Sequence, residues 1–372
     1  MSILLEGLLA FTWQQAVMML IGCALMYLGI KKEYEPTLLV PMGLGTILVN
    51  FPMSGIITQP STGVEGVLNV LFDAGISTEL FPLLIFIGIG AMIDFGPLLQ
   101  NPFMMLFGAA AQFGIFATVV LIVAVTGLTL PEAASMGIIA AADGPTSIFV
   151  AGKLAPNLLG PITVAAYSYM ALVPIIQPPV INALTTKKER MIHMKYEPKD
   201  VSKTAKILFP LLITFVAGFT APMSLPLIGF LMFGNLLREC GVLDRLSASA
   251  QNELVNIISI LLGLTIALKM TAGEFLNVKT LLIIAFGLLG FVFDTAGGVI
   301  FAKVLNIFRK EKINPMVGAA GISAFPMSSR VIQKMATKED PTNFILMHAA
   351  GANVSGQIAS VVAGGLLLSF FM

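Results

Sequence analysis

Apolar segments recur from one end of this 372-residue chain to the other, and that recurrence makes it a polytopic membrane protein. Hydrophobic residues are 57% of the sequence and charged ones 11%, against roughly 25% charged in a soluble domain. The first-half segments fall near 13–30, 36–50, 80–93, 103–126, 133–152 and 160–182. Their second-half counterparts fall near 207–222, 225–238, 254–268, 280–304, 314–333 and 342–370. Several are shorter than the ~20 residues of a full helical span. Trp13–Ile30 reads as a retained span, because no basic stretch or convincing cleavage site marks a signal peptide.

Charge and cysteine content exclude other classes. A net charge of +1 implies no polyanion partner, so no nucleic acid is expected. Cys23, Cys240, His193 and His348 are too few and too scattered for a disulfide framework or a zinc site.

Asp143 is the most informative residue. It sits in Ala140-Ala141-Ala142-Asp143-Gly144-Pro145-Thr146, with uncharged flanks Met136–Ala142 and Ser147–Ala151. A carboxylate at bilayer depth costs roughly 2.5–3.5 kcal/mol even on insertion scales. The Gly-Pro that follows breaks the helix, since proline lacks an N–H and glycine relaxes the backbone. A broken membrane segment carrying a carboxylate at its break is a way to build a cation site within a bilayer.

The two halves resemble each other. Pro41 and Asn50 line up with Pro226 and Asn235, and Gly88 with Gly263. Gly137, Pro145 and Ser147 line up with Gly318, Pro326 and Ser328, in the same order. Domains follow: a first membrane repeat over 1–183, a basic cytoplasmic linker over 184–206, and a second repeat over 207–372. Lys31-Lys32, the linker run from Lys187 through Lys195, Lys199, Lys203 and Lys206, and Arg309–Lys312 are all taken as cytoplasmic. That requires one non-crossing segment in each half, 133–152 and 314–333. Each half then crosses five times and the repeats are inverted, with broken or re-entrant helices meeting at the midplane. Lys153, Lys269 and Lys279 fall outside on this reading and count against it.

Three constellations carry the chemistry. Asp143 with Thr146 and Ser147 offers the carboxylate and neutral oxygens that a hard cation such as Na⁺ prefers. Asn314–Pro326 offers an amide, a hydroxyl at Ser323, loosening glycines and a second break, although small-residue packing explains it equally well. Asn353-Val354-Ser355-Gly356-Gln357 places polar groups in an apolar tail, as ligands or as helix glue. Arg330 either snorkels to the interface or receives a carboxylate. Tyr169, beside Tyr167, either anchors at an interface or relays a proton. Asp294 is a second intramembrane acid, supporting the site or pairing locally. Ala267-Leu268-Lys269-Met270 resembles the tetrapeptide around a biotinylated lysine, but no carrier domain surrounds it.

With these motifs the chain resembles the beta subunits of the sodium-translocating, biotin-dependent decarboxylases, which act in oxaloacetate, methylmalonyl-CoA and glutaconyl-CoA decarboxylases. The resemblance rests on Gly88–Asn101, Gly108–Thr118, Ala142–Thr146, Ala165–Pro179, Phe233–Leu237, Lys312–Arg330 and His348–Gly356. It implies a subunit of the cytoplasmic membrane that decarboxylates carboxybiotin, consumes a proton and drives Na⁺ outward. The family's functional residues fall on Asp143, Tyr169, Asn314, Gly318, Ser323, Arg330 and Asn353; catalysis is expected of Asp143, Tyr169 and Arg330, and carboxybiotin binding of Arg330, Asn314 and Gly318. Na⁺ goes to Asp143, Thr146, Ser323 and Asn353. The implied partners are a biotin carrier subunit, a carboxyltransferase alpha subunit and a small membrane-anchored gamma or delta subunit, in an oligomer in the lipid bilayer. The compact first half tilts the substrate toward an acyl-CoA. A secondary Na⁺-coupled transporter or Na⁺/H⁺ antiporter without decarboxylation is the competing class, because fold does not fix function.

Overall fold

The computed structural model describes residues 7, 9–58, 63–196 and 200–372. Lys199 of the basic linker and residues 59–62 lie outside the described residues. Among those described there is no strand. The first half runs α1 (Trp13–Lys32), α2 (Pro36–Val49), α3 (Leu80–Met92), α4 (Pro102–Thr126), α5 (Leu130–Ala141), α6 (Gly144–Leu154) and α7 (Pro156–Leu184). The second half runs α8 (Lys203–Thr220), α9 (Leu225–Glu239), α10 (Asp244–Lys269), α11 (Val278–Phe308), α12 (Met316–Ala319), α13 (Met327–Glu339) and α14 (Leu346–Phe371).

Seven of these helices are long and apolar enough to cross a membrane, or eight if Val67–Ser77 and α3, bent by 59°, form one span. The expectation of an all-α polytopic membrane protein is borne out. At 14 and 15 residues, α2 and α9 are shorter than a full span. Both segments read as non-crossing are broken: Ala142 and Asp143 separate α5 from α6, and residues 320–326 separate α12 from α13.

Helices of opposite halves pack in matching pairs. α2 lies on α10 and α3 on α9; α7 lies on α11 and α4 on α14; α6 lies on α14 and α13 on α7. Each pairing has its counterpart with the halves exchanged. The aligned asparagines do matching work. Asn50 ends α2 and donates from Nδ2 to the Met270 carbonyl at 2.9 Å. Asn235, in the last turns of α9, donates from Nδ2 to the Ile93 carbonyl at 2.9 Å. Each therefore satisfies a backbone carbonyl just past the end of a helix of the other half, where no water is available to do so.

The two ends of each broken segment share neighbours. Asn314 Nδ2 donates to the carbonyls of Arg190 and Ile192 at 2.8 and 3.0 Å. Asn343, past the far end of α13, donates to the same two carbonyls at 3.3 and 3.2 Å. In the first half Lys279 pairs with Glu132 at the start of α5. The chain leaving α6 returns to that same connection, where Gly160 abuts Lys269. The three lysines that counted against the topology are each paired: Lys153 with Glu79, Lys269 with Glu274, and Lys279 with Glu132.

Close backbone contact fixes the α3–α9 crossing. A Cβ on Gly90 would stand 1.8 Å from the Leu231 carbonyl oxygen, and one on Gly234 would stand 1.9 Å from that of Ile87. Small residues at such crossings let backbones touch and gain dispersion, the main attraction available between helices in lipid. Gly90→Ala and Gly234→Ala should each destabilise the protein by about 1–3 kcal/mol, the usual cost of overpacking. Gly229→Ala, in open space on α9, should be neutral or stabilising, since alanine is the better helix former. Thermal unfolding in detergent checks the contrast; equal melting temperatures for all three variants would refute it.

Candidate functional site

The site forms where the two breaks meet. Ala142 ends α5 in the left-handed region (φ 51°), unusual for a residue with a Cβ. Asp143 then caps α6, and Pro145 near the start of that helix suits the fixed φ of its first turn. The second break closes on the first: Ser323 N–H donates to the Ala141 carbonyl at 3.1 Å. Gly144 must be glycine, because a Cβ there would lie 2.3 Å from the Tyr167 ring.

Asp143 is 3% exposed and accepts four hydrogen bonds. Its Oδ1 accepts from Thr146 N–H at 3.2 Å. Its Oδ2 accepts from Thr146 Oγ1 at 2.8 Å, Gln357 Nε2 at 2.9 Å and Ser360 Oγ at 2.7 Å. A carboxylate has about two lone-pair sites on each oxygen; the donors crowd onto Oδ2 and leave one site on Oδ1 free for a cation. Three of the four donors can turn round. The two hydroxyls accept as readily as they donate, and a reversed carboxamide presents its oxygen. The same shell can therefore stabilise the bare carboxylate or offer oxygens to a cation beside it.

α14 brings the third group of ligands. Asn353, Gln357 and Ser360 share one helical face at spacings of four and three. Asn353 Nδ2 donates to the Ile322 carbonyl in the second break at 2.7 Å, while its buried Oδ1 has no hydrogen-bond partner. That leaves a free acceptor oxygen beside freed backbone carbonyls. Ser323 Oγ donates to the Gly356 carbonyl at 3.2 Å.

A cavity of 410 Å³ opens from this point, lined by Asp143, Ser323 and Gln357 together with Tyr167, Arg330 and Glu35. That volume lies within the range of small-molecule sites. Arg330 is exposed to the cavity. Among the described residues no carboxylate pairs with it. A guanidinium with an open fork on a cleft is built to take a planar anion.

The structure thus brings together Asp143, Thr146, Ser323, Asn353 and Arg330. It puts three other expected site residues elsewhere. Asn314 anchors the start of its segment to the linker carbonyls. Gly318 lies where α12 crosses α11, 2.0 Å from the Gly298 carbonyl for a built Cβ. Tyr169 donates its hydroxyl to the Ile284 carbonyl on α11 and does not line the cavity; Tyr167, two residues away, does. Asp294 is buried on α11 against Gly114 of α4, away from the cavity. Sequence reasoning missed Ser360 and Glu35. Helical spacing from Asn353 and Gln357 would have found Ser360. Glu35 sits among loop charges with no signal of its own.

Over residues 14–371 the sequence matches the family described as the Na⁺-transporting oxaloacetate decarboxylase beta subunit. The chain belongs to that family. It is 50% identical to methylmalonyl-CoA decarboxylase subunit beta of Propionigenium modestum, over 95% of this chain and 94% of that protein. Glutaconyl-CoA decarboxylase subunit beta of Acidaminococcus fermentans is 49% identical, over 98% and 95%. Oxaloacetate decarboxylase beta chain of Klebsiella pneumoniae is 43% identical, over 98% and 97%. The resemblance drawn from the motifs is borne out: this family member is the membrane subunit of a decarboxylase sodium pump, not a transporter without chemistry.

Tyr169 fastens α7, the helix that carries Tyr167, to α11. Tyr169→Phe removes only that bond, which is worth about 1 kcal/mol net. The variant should melt at lower temperature and turn over more slowly, with the pH profile keeping its shape. A changed pH profile at unchanged melting temperature would instead make Tyr169 a proton carrier.

Proposed function

We propose that the chain accepts carboxybiotin from a separate biotin carrier subunit in the cavity at Arg330, decarboxylates it, and couples the loss of CO₂ to outward movement of Na⁺ held near Asp143. The observation that carries this reading is the buried carboxylate at the meeting of the two breaks, opening onto a cavity with an unpaired arginine. Asp143, Thr146, Ser323 and Asn353 supply oxygens for Na⁺. Arg330 holds the carboxylate of the bound substrate by a two-pronged contact. Asn314 and Gly318 act at one remove, by fixing the second broken segment. Carboxybiotin brings a negative charge toward the cation site and decarboxylation takes it away, so Na⁺ is bound more tightly before the reaction than after it.

The partners on this reading are the biotin carrier, a carboxyltransferase alpha subunit and a small membrane-anchored subunit, assembled as an oligomer in the inner membrane. A basic linker over 184–206 joins a first repeat, 1–183, to a second, 207–372. The two repeats are inverted, so the broken segments approach the midplane from opposite sides; the exchanged helix pairings support this. A cysteine introduced at Lys195 should label from the cytoplasmic side and one at Thr129 from outside. Labelling of both from one side would overturn the inversion. An acyl-CoA is the favoured substrate of the whole complex. Acyl-CoA-type relatives align at 49–50% identity over 364–374 positions, and oxaloacetate-type ones at 43–44% over 419–422.

The test is Na⁺-dependent hydrolysis of free carboxybiotin by the purified subunit. Asp143→Asn keeps the side-chain shape but removes the charge, and should abolish Na⁺-dependent turnover while the protein stays folded. Arg330→Lys should raise the KM for carboxybiotin at least tenfold, since lysine cannot present the planar fork, with Na⁺ affinity changed less. Normal Na⁺ activation in Asp143→Asn would sink the assignment. A collapse of Na⁺ affinity in Arg330→Lys would move the arginine to the cation site.

A further inference from the structure

Glu35 is a carboxylic acid in the substrate cavity that the reading above does not use. It stands in the three-residue connection between α1 and α2, directly before Pro36, and caps α2 in the left-handed region at φ 37°. A glutamate gains nothing from that conformation, because it lacks the short side chain with which asparagine or aspartate bonds locally. No cap hydrogen bond from its side chain offsets it. Among the described residues it forms no ion pair. The backbone thus holds, at some cost, an acid that faces the same cavity as Asp143, Tyr167 and Arg330.

Burial works against its charged form, and the Arg330 cation in the same cavity works for it. Burial pushes the Glu35 carboxyl up from the ordinary glutamate value. The titratable groups that share its cavity are Asp143 from the first break, Tyr167 from α7 and Arg330 from α13. α3 contributes Ile85, Ile89 and Met92, and α10 contributes Val255 and Ser259. Lys31, Lys32, Glu33 and Tyr34 flank it on its own segment, and none of them lines the cavity. The phenol of Tyr167 lies within electrostatic reach of Glu35. An acid with a raised pKa on the wall of a cavity built for an anion is suited to give that anion's leaving group a proton.

We propose that Glu35 is the proton donor to the departing biotin, an inference that rests on the pump reading. Cleavage of the N–CO₂ bond leaves the electron pair on the ureido nitrogen as CO₂ departs. The Glu35 carboxyl gives its proton to that nitrogen, forming the N–H of free biotin and a glutamate carboxylate. Glu35 then takes a proton back from water in the cavity, so one proton is consumed per CO₂ released. Arg330 stays with the departing carboxylate, and Asp143 stays ionised for Na⁺.

The experiment measures Na⁺-dependent turnover of free carboxybiotin by the full chain across pH, with Na⁺ binding followed separately by thermal shift. The donor works below its pKa, and turnover falls as pH rises through it. Glu35→Gln keeps size and polarity, and should lower turnover at least tenfold, remove that alkaline limb and leave Na⁺ binding unchanged. Glu35→Gly relieves the positive φ, so it folds even if other variants do not; added formate should restore part of its turnover. Wild-type rates with the alkaline limb intact in Glu35→Gln overturn the proposal. So does loss of Na⁺ binding in Glu35→Gly without formate rescue, which would make Glu35 part of the cation path. If the wild-type chain turns over no carboxybiotin under any condition, the pump reading itself fails and takes this one with it.

Discussion

An ionised carboxylate inside a membrane protein must be surrounded by donors or by a cation, and everything around Asp143 follows from that demand. Isolated in an apolar medium it would neutralise itself by taking a proton. Four hydrogen bonds, from Thr146, Gln357 and Ser360, replace the water it has lost. Supplying them takes a helix broken at Ala142, so that the α6 N-terminus points its free N–H groups inward. It also takes a long helix from the other half to lay a polar face across the break. Neither half can make the site alone: Asp143 and Thr146 come from the first, Gln357 and Ser360 from the second.

Two breaks then need each other for a second reason. Opening a helix in lipid frees N–H and carbonyl groups that no solvent can satisfy. The Ser323 N–H bonds the Ala141 carbonyl, and the Asn353 amide bonds the Ile322 carbonyl. The repaired backbone is what leaves the Asn353 Oδ1 oxygen unpartnered. Unpaired oxygens at a repaired break are an invitation to a hard cation, because Na⁺ coordination asks only for oxygens at the right distance.

Most of the architecture was legible in the sequence, because hydrophobic length and helix breakers act locally. Most segment boundaries fell within a few residues of the helices, although α10 starts ten residues before the expected 254 and α13 runs to Glu339, and both breaks sat at their Pro and Gly signals. Asn50 and Asn235, aligned in the sequence, make matching hydrogen bonds. The site was harder to read. Asp143 announced itself as a charge in an apolar run. Ser360 did not, since a lone serine in an apolar helix usually bonds its own backbone. Tyr167 and Tyr169 are two residues apart, about 200° round a helix, and only packing shows which ring faces the cavity. Glu35 was hidden because its importance lies in backbone conformation and a cavity wall, and neither has a local signature.

On the proposed reading, the loss of one charge is what couples the chemistry to ion release. A unit charge leaving a point about 5 Å from a bound Na⁺, at an effective dielectric of about 20, changes the binding free energy by roughly 3 kcal/mol. That is about a hundredfold in affinity, enough to turn a holding site into a releasing one. The cavity puts the arginine that would hold the departing carboxylate and the aspartate that would hold the ion on the walls of one small space. Release must still be directed to one side of the membrane, and charge loss alone has no direction. The two halves meet at the breaks through the Ser323–Ala141, Gln357–Asp143 and Ser360–Asp143 bonds, so a shift of one half against the other would supply that direction.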